Sequence, residues 1–230
     1  MMNHLAIIMD GNRRWAKKKG LSFTTGYKDG GVGAMRRAIE FALKKNIKFL
    51  SLYTFSLENF KRPQAEQDFI FNSLVAEGPR HLEFLHKHQI KTRFIGDPER
   101  FPEHVKPTIT MLESETASYT NLQVNMLFCY GGQQEIVNAV KKIAHQVALG
   151  ALQESEISES TMYEYLWAGN IPNPELIIRT GNAHRLSNFL LFQAAYSELY
   201  FLECFWPDIT EDDLERAVAA YASTQKNFGV

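Results

Sequence analysis

The chain has 230 residues, of which 45% are hydrophobic and 12% aromatic, enough to bury the core of one large domain and too apolar for a disordered protein. Its formal net charge of −1 gives no indication of a nucleic-acid partner, although basic residues cluster at positions 13–19. The two cysteines, Cys129 and Cys204, stand in apolar surroundings without metal-ligand spacing and predict reduced thiols in a cytoplasmic protein. No segment approaches the roughly 18 consecutive apolar residues of a membrane-spanning helix.

Short apolar runs alternate with helix-length patterns along the chain, and this alternation predicts an α/β fold. The predicted strands cover residues 4–9, 47–55, 91–95, 122–129, 175–179 and 199–202. The predicted helices cover residues 30–45, 66–88, 103–118, 134–149, 162–168 and 210–225. Apolar strands separated by helices favour a central, mostly parallel six-stranded sheet flanked by helices. Since no linker or internal repeat is evident, we expect a single domain over residues 1–230.

The segment Asp10-Gly11-Asn12-Arg13-Arg14-Trp15 directly follows the first predicted strand. Backbone N–H groups at the start of a helix bind phosphate, and arginines add charge-assisted hydrogen bonds. The aspartate is well placed to hold a divalent cation against the same phosphate. The segment therefore indicates a diphosphate site with Mg²⁺. The alternative is an aspartate that caps an ordinary basic helix.

Two further polar clusters, at residues 56–62 and 179–188, follow the second and fifth predicted strands. Both combine arginine with hydroxyl and amide side chains, which suits them to bind phosphate oxygens. In open parallel sheets, ligands bind at the carboxyl ends of the strands. We therefore expect Asp10, both clusters and Glu198 to converge on one rim of the sheet. Taken singly, each cluster is also compatible with a surface loop that caps a helix or pairs a strand-end arginine.

Glu198 and the helical pattern at residues 66–88 each have two interpretations. Glu198 stands in the apolar, aromatic segment 194–201, where an unpaired charge is costly, so it needs either an arginine or a metal ion as its partner. The apolar side chains of the helix form either ordinary core or the lining of a hydrocarbon tunnel. Near the start of that helix, Glu66 can pair with Arg62 at a spacing of one helical turn.

Taken together, the motifs resemble those of the cis-prenyltransferases, in order and type along nearly the whole chain. The matching stretches are HLAIIMDGNRRWA (4–16), YTFSLENFKRP (53–63), YGG (130–132), IIRTG (177–181), HRLSNFLL (184–191), ELYF (198–201) and WPD (206–208). Several motifs of this length in the right order are highly specific, and the single-cluster alternatives do not survive jointly.

The resemblance implies a chain-elongating enzyme that adds isopentenyl diphosphate units to farnesyl diphosphate with cis double bonds. The expected product is a long-chain polyprenyl diphosphate, with undecaprenyl diphosphate favoured, which carries peptidoglycan and other cell-wall glycans. The resemblance also implies Mg²⁺ as the cofactor, a hydrophobic tunnel beside the sheet and a homodimer. It further implies a cytoplasmic protein with loose contact to the inner face of the membrane through its lipid product.

The resemblance assigns roles to individual residues as well. Asp10 and Glu198 match Mg²⁺ ligands, and Asn59 matches the residue assigned as proton acceptor, which works with Asp10. The residues that match substrate contacts are Gly11, Asn12, Arg13, Arg14, Trp15, Phe23, Tyr27, Ser56, Leu57, Glu58, Phe60, Arg62, Arg179, Arg185, Leu186 and Ser187.

Some positions depart from the usual pattern of the family. Phe23 and Tyr27 stand where arginine and histidine are usual near the allylic diphosphate, and Asn182 and Ala183 replace a common Gly-Glu pair. Asn227 stands where the family usually has the arginine of an Arg-x-Gly segment.

Two rival interpretations are weaker. A non-catalytic partner subunit of this fold would lack the active-site aspartate, which this chain retains. A nucleotide-binding protein would be expected to carry G-x-x-x-x-G-K-[ST] or G-x-G-x-x-G, and neither motif is present.

Overall fold

The computed structural model describes residues 2–224 and is built around one six-stranded sheet. Its strands are β1 (His4–Ile8), β2 (Phe49–Ser56), β3 (Ile90–Ile95), β4 (Leu122–Tyr130), β5 (Leu176–Arg179) and β6 (Glu198–Phe201). Their order across the sheet is β3-β4-β2-β1-β5-β6, and each neighbouring pair is parallel. The predicted α/β fold is confirmed, with a sheet that is wholly rather than mostly parallel.

Helices flank the sheet along the chain. The α-helices of residues 2–224 are α1 (Asn12–Lys18), α2 (Phe23–Gly26), α3 (Val32–Lys44), α4 (Gln64–Glu77), α5 (Leu82–His88), α6 (Lys106–Thr116), α7 (Gly132–Ala148), α8 (Glu159–Tyr165) and α9 (Glu211–Ser223). A π-helical turn, Tyr27–Gly31, joins α2 to α3. Within the described part of the chain, no helix has both the length and the apolar character needed to cross a membrane.

The core lies on both faces of the sheet because the strands alternate their side chains. In β1, Leu5 and Ile7 enter one cluster of buried apolar residues, while Ala6 and Ile8 enter another. The first cluster includes Ala38 of α3 and residues of α5, α6 and α9. Because β1 is buried on both faces, all four of its residues from Leu5 to Ile8 are apolar, which explains the apolar run in the sequence.

The long helix predicted at residues 66–88 is interrupted. A 3₁₀ turn, Gly78–His81, separates α4 from α5. Pro79 lacks a backbone N–H and cannot continue the α-helical hydrogen-bond ladder. At Gly78, an added Cβ would lie 3.0 Å from Cγ2 of Thr108, so this turn packs closely against α6.

A buried polar network crosses three adjacent strands. Nε2 of His4 lies 2.8 Å from Oγ of Ser51, and Nδ2 of Asn125 donates to the same oxygen at 3.1 Å. Nδ1 of His4 lies 2.6 Å from the carbonyl oxygen of Pro172. Burial lowers the pKa of His4 to about 4, against the opposing effects of the Pro172 hydrogen bond and of Glu175.

Candidate active site

Asp10 and Arg179 form the centre of the site, at the carboxyl ends of the adjacent strands β1 and β5. Nη2 of Arg179 donates to Oδ2 of Asp10 at 2.9 Å, and Oδ1 of Asp10 lies 3.2 Å from Nη2 of Arg14. The Arg179 side chain is only 5% exposed, whereas Asp10 is 28% and Arg14 49% exposed. The carboxylate thus joins a buried, fixed cation to one that solvent can reach.

Two glycines allow this close arrangement. Gly11 has φ +110°, which favours glycine, and an added Cβ would lie 2.7 Å from Cδ1 of Phe205. Gly181 has φ +86°, and an added Cβ would lie 2.6 Å from Nη2 of Arg14. The Arg14 guanidinium also lies 5.3 Å from the centre of the Phe205 ring. Both glycines are therefore required by space as well as by backbone conformation.

The segment after β2 carries Asn59 on a short 3₁₀ turn, Leu57–Lys61, and Arg62 directly after it. Ser56 and Asn59 form a reciprocal capping box, in which Oδ1 of Asn59 accepts from the Ser56 backbone N–H at 3.3 Å. Burial lowers the pKa of Arg62, and the nearby Glu66 carboxylate opposes this effect.

Glu66 forms a cross-element ion pair with Arg13, at 3.4 Å between Oε1 and Nη2, so α1 and α4 are linked at the site. The spacing of Arg62 and Glu66 allows an ion pair between them, but Glu66 pairs with Arg13 instead. Within the described chain, the ion pair of Glu66 is the one with Arg13.

The loop after β5 folds back over Arg179. Nη1 of Arg179 donates to Oγ of Ser187 at 2.7 Å and to the carbonyl oxygen of Arg185 at 2.5 Å. Tyr53 of β2 stacks on Phe189, with ring centres 4.8 Å apart, and its hydroxyl donates to the Ser187 carbonyl oxygen at 3.3 Å. The buried Arg179 side chain thus holds the loop in place through hydrogen bonds to Arg185 and Ser187.

These three segments enclose a polar cavity of about 500 Å³. It is lined by Ile8, Met9, Asp10, Gly11, Asn12, Arg13, Arg14, Phe23, Tyr27, Tyr53, Thr54, Ser56, Asn59, Arg62, Ile70, Arg179, Arg185 and Ser187. The expectation that Asp10 and both polar clusters share one rim is confirmed. Ile8, Met9, Tyr53, Thr54 and Ile70 were not among the predicted site residues; all but Ile70 lie at or just beyond the carboxyl ends of β1 and β2.

Five predicted substrate contacts do not line this cavity: Trp15, Leu57, Glu58, Phe60 and Leu186. The Trp15 indole N–H donates to Asp208 at 2.6 Å, and Phe60 packs on Phe55 with ring centres 5.1 Å apart. Leu186 packs against the core cluster of Ala6 and Ile8. Their contact with substrate stays a prediction.

The expectation that Glu198 reaches the same rim is wrong. Glu198 is the first residue of β6 and pairs with Leu176, whereas Phe201 pairs with Arg179. Because β6 runs parallel to β5, Glu198 lies at the amino end of the strand, about 10 Å along the sheet from the level of Arg179. Glu198 therefore does not join Asp10 within one chain.

The unusual residues Phe23 and Tyr27 form an aromatic cluster with Phe69 of α4. The three pairs of ring centres are 5.8–6.0 Å apart. Burial raises the pKa of Tyr27, and the Arg62 guanidinium opposes this. Positions 23 and 27 thus contribute uncharged aromatic rings to the cavity, and Arg62 is the cation beside them. Asn227 lies outside the described residues.

Two apolar cavities, of about 120 and 110 Å³, follow one another beyond the polar cavity. The first shares Tyr27, Thr54 and Ile70 with the polar cavity. The second lies further from the rim, between α3 and α5, and shares Met35 and Leu74 with the first. A charged space and an apolar space are thus in contact across Tyr27.

Among residues 2–224, no group of three or more His, Cys, Asp or Glu side chains is arranged to hold a metal ion. Asp10 is the only acidic side chain among the described residues that line the polar cavity. Mg²⁺ commonly binds through one or two carboxylates together with substrate phosphates and water. The arrangement fits a cation that a bound diphosphate would help to hold.

A family model described as putative undecaprenyl diphosphate synthase matches residues 8–229. The chain is 41% identical over 226 residues to the (2E,6E)-farnesyl-diphosphate-specific ditrans,polycis-undecaprenyl-diphosphate synthase of Escherichia coli strain K12, covering 98% of this chain and 89% of that protein. It is 40% identical to the isoprenyl transferase of Thermotoga maritima, covering 98% of this chain and 96% of that protein.

Solved structures show the same architecture. Lavandulyl diphosphate synthase from Lavandula x intermedia, in complex with dimethylallyl diphosphate, aligns with a TM-score of 0.95 and 33% identity, covering 100% of this chain and 98% of that one. A probable undecaprenyl diphosphate synthase from Campylobacter jejuni aligns with a TM-score of 0.82 and 34% identity, covering 100% and 99%.

Proposed function

The chain belongs to the cis-prenyltransferase family of undecaprenyl diphosphate synthases, and we propose that it adds isopentenyl diphosphate units to farnesyl diphosphate in a Mg²⁺-dependent reaction. The observation that carries this proposal is the contact between a cavity ringed by arginines and an apolar cavity, which in turn adjoins a second apolar cavity. A prenyl diphosphate has the matching parts, a strongly charged head and an apolar tail. The chain is thus a prenyl transferase whose favoured product is undecaprenyl diphosphate.

The arginines that line the polar cavity support a proposal of two diphosphate positions. The allylic diphosphate would bind at Gly11–Arg14, where the first N–H groups of α1 and the half-exposed Arg14 are available. The isopentenyl diphosphate would bind at Arg185 and Ser187, beside Arg179. As the allylic diphosphate departs, fixed guanidinium groups stabilise the charge that develops on it.

Asp10 is the residue that would hold Mg²⁺, together with the oxygens of the allylic diphosphate. When bound, the cation would stabilise negative charge on the leaving group. Arg14 is half-exposed, so it can exchange its contact with Asp10 for one with phosphate, while the buried Arg179 keeps the carboxylate in place.

Proton removal from the isopentenyl unit is assigned to Asn59 with the help of Asp10 or of the diphosphate. A neutral amide is a weak base, and Oδ1 of Asn59 already accepts from Ser56. The role of Asn59 is therefore to position the acceptor group as well as to contact the proton.

The apolar cavities would receive the growing hydrocarbon chain. An apolar cavity of about 150 Å³ holds one benzene molecule, so each of these cavities holds about one five-carbon unit. A long product requires α3 to move away from α4 and α5. We therefore propose a tunnel that opens along the cavities as the chain lengthens.

A homodimer would explain Glu198. The edge strand β6 exposes 44% of Leu199, and the neighbouring Tyr196 is 78% exposed. If two copies meet through β6 about a two-fold axis, the amino end of one strand faces the carboxyl end of the other. Glu198 of a second copy then approaches the rim that carries Asp10, where it can act as a Mg²⁺ ligand.

The proposed cellular role is to supply the lipid carrier for peptidoglycan and other cell-wall glycans. The product would bring the enzyme into peripheral contact with the membrane.

The test is incubation of the protein with farnesyl diphosphate, labelled isopentenyl diphosphate and Mg²⁺, with products resolved by chain length. We expect long polyprenyl products that EDTA abolishes, and thermal stabilisation by farnesyl diphosphate but not by ATP. Parallel incubation with dimethylallyl diphosphate tests a shorter allylic substrate. Absence of any condensation by the folded protein would refute the proposal and favour a non-catalytic partner subunit.

A further inference from the structure

Asn188 connects three segments at the edge of the candidate active site. Its Nδ2 donates to Oε1 of Glu58 at 2.7 Å and to Oε1 of Gln134 at 2.9 Å. Its Oδ1 accepts from the backbone N–H of Gln133 at 2.7 Å, and its carbonyl oxygen accepts from Gly132 at 2.7 Å. A single residue thus joins the loop after β5, the 3₁₀ turn after β2 and the start of α7.

The loop that Asn188 fixes has an unfavourable backbone. Ser187, Asn188 and Leu190 have φ of +51°, +66° and +42°. Non-glycine residues in this region persist only where surrounding contacts determine the conformation, and asparagine tolerates it better than most residues. Arg179 holds the loop on its inner side through Ser187 and Arg185, and Asn188 holds it on its outer side.

The Gly-Gly pair at the start of α7 makes room for this contact. An added Cβ at Gly131 would lie 2.8 Å from Nδ2 of Asn188 and 2.3 Å from Oε1 of Gln134. An added Cβ at Gly132 would lie 3.1 Å from the Asn188 carbonyl oxygen. Gly131 has an extended backbone, so space rather than conformation explains it.

We propose that Asn188 is a positioning residue, which through Glu58 fixes the isopentenyl-binding loop relative to Asn59. Asn188 and Glu58 do not line the polar cavity, whereas Ser187 and Asn59, their chain neighbours, do. The Asn188–Glu58 hydrogen bond therefore sets the distance between the isopentenyl diphosphate position and the group that takes its proton. This inference rests on the proposed function.

The substitution Asn188→Asp separates the two halves of the contact. Aspartate keeps an oxygen for the Gln133 N–H and also tolerates positive φ, but it loses the donor and places a second carboxylate against Glu58. We expect KM for isopentenyl diphosphate to rise about 10- to 100-fold, since a hydrogen bond to a charged group is lost. KM for farnesyl diphosphate should stay within about twofold.

Glu58→Gln provides the rescue. In the double variant Asn188→Asp/Glu58→Gln, the glutamine amide can donate to the aspartate, so most of the loss in KM should be recovered. Glu58→Gln alone is the reference for the double variant, because Asn188 can still donate to the amide oxygen. The matched control is Asn46→Asp, at an exposed asparagine that also has positive φ (+55°) and follows the carboxyl end of α3.

The outcomes distinguish the inference from the proposed function. A rise in KM for both substrates, or a double variant no better than Asn188→Asp, would overturn the positioning role. If the unmodified protein and Asn46→Asp catalyse no condensation, the proposed function fails. Amide hydrogen exchange measured without substrate then tests the positioning role by itself. The backbone amides of Gln133 and of residues 185–190 should exchange faster in Asn188→Asp than in the unmodified protein, and their slow exchange should return in the double variant. Equal exchange in all forms would refute it.

Discussion

Replacement of Asp10 by asparagine separates its role in the fold from its role in the chemistry. The substitution keeps the side-chain shape and one acceptor oxygen, but it removes the charge that faces Arg179 and Arg14. The ion pair with the half-exposed Arg14 contributes less than about 1 kcal/mol, and the hydrogen bond from the buried Arg179 contributes about 1.5–3 kcal/mol, part of which asparagine retains. We expect the free energy of unfolding to fall by about 2 kcal/mol.

Turnover should fall much further. If Asp10 holds the cation that stabilises the leaving group, several kcal/mol of transition-state stabilisation are lost, which corresponds to at least about a thousandfold decrease in kcat. Urea unfolding followed by tryptophan fluorescence measures loss of the fold near the site, because the Trp206 side chain is buried and its backbone N–H donates to the Asp10 carbonyl oxygen. Glu40→Gln, which removes the exposed Arg36–Glu40 pair, is the control and should leave both quantities unchanged. Turnover within tenfold of the unmodified protein, with the same Mg²⁺ dependence, would refute the assignment.

Three further predictions concern the core, the apolar cavities and the edge strand. His4 has a pKa of about 4 in the folded state and about 6.5 in the unfolded state, so the unfolded state takes up the proton first as the pH drops. The stability that is present above pH 6.5 therefore falls at lower pH. Urea unfolding should show a loss of about 2 kcal/mol in the free energy of unfolding near pH 5, and His4→Gln should not show it. Val124→Phe should fill the 110 Å³ cavity and shorten the product, whereas Val140→Phe on the exposed face of α7 should not; equal product lengths would exclude this cavity as a chain site. Leu199→Lys should halve the mass measured by light scattering, and an unchanged mass would exclude β6 as the dimer contact.

The strands and the rim were predictable because each depends on a local pattern. Short, mainly apolar runs placed all six strands to within about two residues, and parallel pairing then required Asp10 and Arg179 to meet. The capping residues of α9 are also legible in the sequence, where Thr210 precedes Asp213 by three positions.

Contacts between distant segments were not predictable in the same way. The spacing of Arg62 and Glu66 indicates an ion pair, yet Glu66 instead meets Arg13, which the packing of α1 against α4 decides. Glu198 was assigned to the rim because the direction of the last strand does not follow from its composition. The break at Gly78–His81 was signalled by Pro79, but the strong apolar pattern on both sides favoured one continuous helix.

The buried network of His4, Ser51 and Asn125 has a consequence for how the sheet is assembled. Ser51 pairs directly with Asn125 in the β2–β4 register, and His4 reaches the same hydroxyl from β1. A slip of one residue would shift a strand by about 3.3 Å and turn these polar groups toward apolar neighbours, at a cost of about 1–3 kcal/mol for each unsatisfied group. Misaligned strand pairings are therefore less stable than the native register. Asp10 follows β1 and Ser56 ends β2. The register that these polar residues fix near the amino ends of the strands therefore also fixes how far along the strands the rim residues lie relative to each other.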